Sequence, residues 1–311
     1  MAFAHKSVLF EETMQMLDVH PGGIYLDGTL GGGGHSYGIL ERSEPDGRLI
    51  GIDRDGEALA AAKERLARFG ERVTYIHGNF ADMAQLIDPD LCGKLDGVLL
   101  DLGVSSYQID EPSRGFSYMV NAPLDMRMDP TSDFSAMTLV NTYDEKDLCR
   151  VISSYGEEKW AARIAKFIVE ARQEKTIETT GQLEEIIKAA VPAAARKGVA
   201  HPARRTFQAL RIEVNGELDA ARRGVEAAAG LLKSGGRLAV ITFHSLEDRL
   251  VKEAFRKMEN PCICPKGSPV CVCGRKPIAK QIKRKPIVAS EEELAENPRA
   301  HSAHLRGVIK L

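Results

Sequence analysis

The order of patterns along this sequence predicts an α/β fold: a parallel sheet whose chain is interrupted by a helical insertion. Two observations carry that reading. Short β-like runs alternate with helical stretches over the first hundred residues, and a β pattern returns at Gly235 after a long helical passage. Ile24-Tyr25-Leu26-Asp27 is followed by a glycine cluster and a helix. Arg48-Leu49-Ile50-Gly51-Ile52-Asp53 precedes the alanine-rich stretch from Glu57 to Phe69, which has strong helix propensity. Val73 to His77 and Asp96 to Asp101 read as a third and a fourth strand. Strand and helix in this rhythm argue for a parallel sheet covered on both faces.

From about Tyr107 to Ala200 the text turns helical. Trp160, Ile164, Phe167, Ile168 and Ala171 form one apolar stripe, and Thr179 with Gln182 has capping-box spacing ahead of a helix that Pro192 punctuates. Gly235-Gly236 then opens Arg237 to Phe243 as a fifth strand, with a helix from Ser245. The tail offers a capping box from Ser290 to Glu293, and Leu305 to Leu311 reads as an edge strand. The expected organisation is a discontinuous core, residues 1–108 and 201–311, around an insert at 109–200.

Hydrophobic residues at 43% and charged residues at 28% of 311 exclude a disordered or fibrous chain. Lys and Arg number 42 against 44 Asp and Glu, so any polyanion site must be a local patch rather than a general coat. No apolar run approaches the roughly 20 residues that span a bilayer, and the first six residues lack the apolar stretch of a signal peptide. A cytoplasmic protein with no membrane partner is expected.

The segment Asp27-Gly28-Thr29-Leu30-Gly31-Gly32-Gly33-Gly34-His35 puts glycines between a strand end and a helix start, where the backbone can turn sharply and approach a ligand. It does not satisfy the dinucleotide pattern G-x-G-x-x-G cleanly, and a glycine-rich turn alone is weak grounds for a ligand. Asp53 ends the second strand about 20 residues later, where a carboxylate can accept bonds from ribose hydroxyls. Phe80 follows the third strand, where an aromatic ring can lie against adenine, and Asp101 ends the fourth. The bland alternatives are Asp53 as a helix cap and Phe80 as core. Asp27 and Asp101 would repel a pyrophosphate but suit the ammonium and sulfonium of S-adenosylmethionine, which favours a methyl donor over a dinucleotide.

Two stretches are basic and free of acids: Arg196, Lys197, Arg204, Arg205 and Arg211, and then Arg275, Lys276, Lys280, Lys283, Arg284 and Lys285. Both match a phosphate backbone, although charge runs are often only solvated surface. Phe116, Tyr118 and Phe207 are candidates for base stacking, with burial an equal alternative. Cys262-Ile263-Cys264 and Cys271-Val272-Cys273 supply four thiols, enough for a zinc knot in principle. Their C-x-C spacing is tighter than the usual C-x2-C or wider, so no metal is assigned from sequence. Asp125, Asp129 and Asp133 read as loop caps rather than a cation site.

Taken together, several motifs are specific. They are His5-Lys6-Ser7-Val8-Leu9, Asp27 to Ser36, Gly51-Ile52-Asp53-Arg54-Asp55, Leu99 to Ser106, Arg114-Gly115-Phe116-Ser117, Pro123 to Asp129, His201 to Gln208, and Phe243 to Arg249. In this order they resemble the bacterial ribosomal RNA small-subunit methyltransferase H family, also called MraW, over nearly the whole chain. The resemblance implies a Rossmann-like class I S-adenosylmethionine-dependent methyltransferase core with an inserted helical substrate-recognition domain. It implies methylation of the exocyclic N4 of a cytidine in the decoding centre of 16S rRNA in the small ribosomal subunit. It also implies cofactor contacts at Gly33, Gly34, His35, Asp53, Phe80, Asp101 and Gln108. Asp101 is the best-placed catalytic carboxylate, and Arg204 and Arg205 are expected to steady the RNA backbone. The D/N/S-P-P-Y/F signature of DNA amino-methyltransferases is absent, since Asp101-Leu102-Gly103-Val104 stands in that place. The Cys262 to Cys273 cluster is not carried over from the family.

Overall fold

The computed structural model describes residues 7–196, 201–265 and 270–311. The chain forms two compact units, residues 1–103 with 218–311 and residues 104–217. The first unit is built on a seven-stranded sheet: β1 (Ile24–Asp27), β2 (Arg48–Asp53), β3 (Val73–His77), β4 (Leu95–Asp101), β5 (Leu232–Thr242), β6 (Ala279–Gln281) and β7 (His304–Lys310). Their order is β3-β2-β1-β4-β5-β7-β6. The first five run parallel, and β7 pairs antiparallel with β5 and with β6. From β1 the chain winds outward to β2 and β3, then crosses back to β4 on the other side. The switch point therefore lies between β1 and β4, where open sheets of this kind bind ligands at the strands' carboxyl ends.

Successive side chains of a strand point to opposite faces, and both faces here are buried. Leu26, Val98, Leu100, Leu238 and Val240 enter one apolar cluster with Ala221, Val225 and Phe255. Their neighbours Tyr25, Leu99, Ala239 and Ile241 enter another with Leu17, Ile39 and Leu66. This double burial is why the strands read as continuous apolar runs rather than as alternation.

Three expectations change. The stretch from Glu57 is helical only over Gly56–Arg65, then tightens into a 3-10 turn ending at Arg72. The last strand is not an edge, because Ala279–Gln281 pairs on its outer side. Ser290 caps the helix Glu291–Glu296, but Glu293 does not close a reciprocal box, since its Oε1 accepts the N–H of Leu9 at 2.7 Å.

The second unit is helical and has its own core, in which Leu148, Ile152, Ile164, Ile168, Leu183 and Ile187 meet. The Thr179–Gln182 capping box forms as expected ahead of Thr180–Ala190. In Ala161–Glu174 the buried stripe is Ala161, Ile164, Ala165 and Ile168, while Trp160 stays exposed at the N-cap. The insert is larger than 109–200. The helix Ala203–Asn215 buries Phe207, Ala209 and Leu210 in this same core, so the second unit runs from Val104 to Glu217, and Gln108, Arg204 and Arg205 all lie in it.

Truncating Leu238, fully buried in the sheet's first cluster, to alanine is expected to cost about 2 to 5 kcal/mol. Urea denaturation followed by far-ultraviolet circular dichroism reads the loss as a lower midpoint. The fluorescence of Trp160, which lies in the other unit, follows the helical transition separately.

Candidate active site

The site is assembled at the carboxyl ends of β1, β2 and β4. Beyond β1 the chain turns through Gly31 at φ 50° and Gly33 at φ 74°, both in the left-handed region that side chains avoid, and enters the helix Gly34–Arg42 with Gly33 as its N-cap. The turn is pinned from both sides. Gly28 N–H donates to Leu99 O at 2.9 Å, and Leu30 N–H donates to Ile52 O at 3.0 Å. A β-carbon on Gly28 would lie 2.6 Å from Leu100 and 2.9 Å from Phe80, so the backbone runs directly over both.

Three aspartates surround this turn. Asp27 is buried and accepts Ser36 Oγ–H at 2.7 Å and Thr29 N–H at 3.1 Å. Thr29 Oγ in turn accepts the Asp101 N–H at 2.6 Å, which fastens the ends of β1 and β4 together. Asp53 Oδ2 accepts the Gly31 N–H at 2.7 Å, and its Oδ1 accepts the Asp55 N–H at 2.9 Å. The helix cap is Asp55, whose side chain accepts the Glu57 N–H, so the alternative reading of Asp53 as a cap fails. Asp101 is half-buried as a residue, but its Oδ1 is fully enclosed and has no hydrogen-bond partner among the described residues.

Burial dominates the electrostatics. It pushes the Asp27 carboxyl up to about 6 against the hydrogen bonds from Ser36 and Thr29. It also raises Asp53, opposed by the amides of Asp55 and Gly31. Asp101 rises to about 8, from burial first and then from the charges of Asp27 and Glu247. Glu247 is buried in the first turn of the helix Ser245–Glu259 and accepts the Phe243 N–H at 2.9 Å. Among the described residues neither Asp27 nor Asp101 forms an ion pair. The rim of the sheet at the switch point is thus an acid-lined wall.

Two other acids of the same unit are ion-paired. At the opposite end of β4, Asp96 is ion-paired with Lys233. One residue beyond Glu247, Asp248 receives both Nε and Nη2 of Arg306, at 2.7 and 2.9 Å.

The remaining candidates divide. Gly33 ends the turn as the N-cap, and Gly34 is the first residue of the helix. The His35 side chain points the other way, with Nε2 3.0 Å from Val8 O and the ring stacked on Phe10, so its imidazole serves packing. Phe80 is partly buried against the first cluster, and a β-carbon on Gly224 would collide with its ring. Gln108 Oε1 accepts the Ser105 N–H at 3.0 Å, closing a capping box in the second unit. In that unit Arg204 is exposed and Arg205 donates to Glu157 O at 3.1 Å. Phe207 is buried, and Tyr118 is stacked on His201 and edge-on to Phe207. Phe116 and Tyr118 are partly buried against the helical core. Packing is therefore the role of Phe207. Asp125 and Asp129 close local turns through Arg127 and Thr131, as expected of loop caps. Sequence reasoning left Thr29, Ser36 and Glu247 without roles. The only signal for Glu247 was its capping-box spacing after His244, which does form.

The MraW methylase family matches residues 2–311. A ribosomal RNA small subunit methyltransferase H of Symbiobacterium thermophilum is 59% identical over 311 residues, covering 100% of this chain and 98% of its own. One from Citrifermentans bemidjiense is 57% identical over 309 residues, covering 99% of both chains. One from Acetivibrio thermocellus is 54% identical over 313 residues, covering 100% of both. Among solved structures, a SAM-dependent O-methyltransferase from Thermotoga maritima aligns with 100% of this chain and 68% of its own, at TM-score 0.43 and 11% identity.

An Asp101→Asn variant is expected to be more heat-stable than the wild type, increasingly so from about pH 4 to about pH 8. The native state keeps on Asp101 a proton that the unfolded chain releases near pH 4, so wild-type stability falls with rising pH until the native group ionises near 8. The difference grows by at most about 1.4 kcal/mol per pH unit. Melting curves at several pH values measure it, and a difference that shrinks as pH rises contradicts the charge arrangement described here.

Proposed function

This chain belongs to the MraW methylase family, and from that premise we propose that it transfers a methyl group from S-adenosylmethionine to the exocyclic N4 of a cytidine in the decoding centre of 16S rRNA. The relatives named above are ribosomal RNA small subunit methyltransferases, which supports small-subunit rRNA as the substrate. One observation carries the choice of cofactor: a buried, unpartnered Asp101 oxygen within a cluster of acids. Such a wall repels a pyrophosphate and is relieved by a ligand that brings positive charge. S-adenosylmethionine supplies that charge, together with a methyl group made electrophilic by the sulfonium.

Asp53, whose two oxygens each retain acceptor capacity beyond the amide bonds they already receive, would hold the ribose hydroxyls. Phe80 would lie against the adenine. Gly33, Gly34 and the backbone of His35 would accommodate the methionine end where the helix begins. Only the backbone of His35 is assigned, since its ring is committed to Val8 and Phe10.

The cytosine amine is a poor nucleophile because its lone pair is delocalised into the ring. Asp101 is the group that addresses this. Beside a cation its carboxyl ionises below its resting value of about 8, and the carboxylate then accepts a hydrogen bond from the amine, drawing the N–H out of the ring plane. The same oxygen can take up the proton that the nitrogen loses, a task suited to a group titrating near neutrality. Holding the nitrogen in line at a separation of roughly 3 to 3.5 Å contributes more than proton transfer does. The exposed Arg204 would meet the RNA backbone, and Arg205, already anchored on Glu157, would shape the same surface.

Incubation of the protein with small ribosomal subunits and methyl-labelled S-adenosylmethionine is expected to place label on a cytidine N4. Label that never enters rRNA overturns the reading. Asp53→Ala is expected to weaken donor binding by roughly 10- to 100-fold, the worth of hydrogen bonds to a charged group, measured by calorimetry. Wild-type affinity for the donor should rise with pH toward about 8, because binding favours ionised Asp101. The affinity of Asp101→Asn should be flat between about pH 7 and pH 8, above the range in which Asp27 titrates.

A further inference from the structure

Four thiols outside the acid-lined site converge in a segment that has no core of its own. Cys262, Cys264, Cys271 and Cys273 lie between the helix Ser245–Glu259 and β6, and their Sγ atoms all fall within 4.8 Å of one another. Cys262 to Cys271 is 3.6 Å, Cys264 to Cys271 3.9 Å, Cys271 to Cys273 3.5 Å and Cys273 to Cys262 3.9 Å. Apolar packing does not account for this convergence. The interleaved Ile263 and Val272 are 64% and 85% exposed, and Val270 is 70% exposed. Thiol–thiol hydrogen bonds are too weak to gather four solvated side chains against the loss of chain entropy.

The spacing discriminates among the remaining causes. A disulfide needs sulfurs at about 2.05 Å and joins only two of the four. A single ion with Zn–S bonds of about 2.3 Å at tetrahedral angles sets its sulfurs about 3.8 Å apart; the four separations of 3.5 to 3.9 Å bracket that value, and all six lie within 4.8 Å. The backbone is also arranged for sulfur. The amides of Ile263 and Arg275 hydrogen-bond to Cys273, and that of Cys264 to Cys262. Gly274, at φ 66°, turns the chain so that the Arg275 amide folds back onto Cys273. Amide bonds to sulfur are the outer-shell support that orients metal ligands and stabilises thiolate.

We propose that Cys262, Cys264, Cys271 and Cys273 bind one zinc ion as a closed tetrathiolate that ties the two ends of this segment to each other. Binding exchanges four thiol protons for four zinc–sulfur bonds and leaves a net charge of two minus on the cluster. Arg275 and Lys276, which come just after Gly274, offset it, which gives the start of the second basic stretch a local role. The tight C-x-C spacing, which argued against a metal in the sequence, is accommodated because the pairs approach one another from two separate turns. With every position filled by sulfur the ion has no open site, so its role is structural. The proposal is independent of the proposed methyl transfer.

The test uses the full-length protein, purified in reductant from zinc-supplemented cells. Elemental analysis is expected to find about one zinc per chain. Replacement by Co2+ should give the thiolate-to-cobalt absorption and ligand-field bands of a tetrahedral sulfur site. The double variant Cys264→Ser/Cys273→Ser should lose at least about tenfold in metal retention against a competing chelator, consistent with loss of ligands, whereas Cys92→Ser/Cys149→Ser should retain it. Should the first variant fold poorly, stripping the wild type with chelator and titrating Co2+ back reads the same site. No metal and no cobalt spectrum, iron in place of zinc, or two disulfides among these cysteines under reductant would each overturn the assignment.

Discussion

Burying carboxyl groups beside one another without cations is unfavourable twice, through desolvation and through mutual repulsion. The sheet unit nevertheless does this at the carboxyl ends of β1 and β4, where Thr29 holds Asp27 and Asp101 against each other. In the same unit the buried Asp96 is paired with Lys233, and the partly buried Asp248 with Arg306. The contrast locates function more sharply than the glycine turn does, because a tight turn is explained by the chain's need to reverse. An unpaired acid cluster is not required by the fold at all.

The turn and the acids depend on each other. Asp53 reaches across from β2 to accept the Gly31 amide, so the loop that must stay open for a ligand is held by a carboxylate that is itself a candidate ligand group. Gly31 and Gly33 are needed at positive φ for that geometry, and the close approach at Gly28 lets Phe80 and Leu100 form the floor. A parallel sheet supplies this for a simple reason: all its first strands end on the same side, so groups far apart in sequence share one rim.

Much of this was legible in the sequence, and for identifiable reasons. The strands carrying Asp27, Asp53 and Asp101 announce themselves because burial on both faces makes them unbroken apolar runs ending in an acid. The insert's edges were misplaced because Ala203–Asn215 is amphipathic whichever core receives it, and periodicity does not say which cluster its apolar face enters. The orientation of His35 was hidden because its partners, Val8 and Phe10, lie outside the glycine motif. The edge assignment of the last strand failed for a similar reason: three residues, Ala279–Gln281, are too few to give a pattern, yet they cover it.

The acid cluster also bears on how the protein is stabilised. With Asp101 raised to about 8 and Asp27 to about 6, the first carboxyl keeps its proton at neutral pH and the second is charged, burial being the larger cause at each and the charge of Asp27 adding to it at Asp101. A cationic ligand removes the conflict by replacing the proton with its own charge, so part of the binding free energy is the release of strain already present in the resting site. Because a ligand that binds only the native state stabilises it by mass action, the acids whose burial costs stability are the same ones that let a cationic ligand restore it. Pairing them with Lys or Arg would stabilise the fold and remove the reason for a cation to bind there.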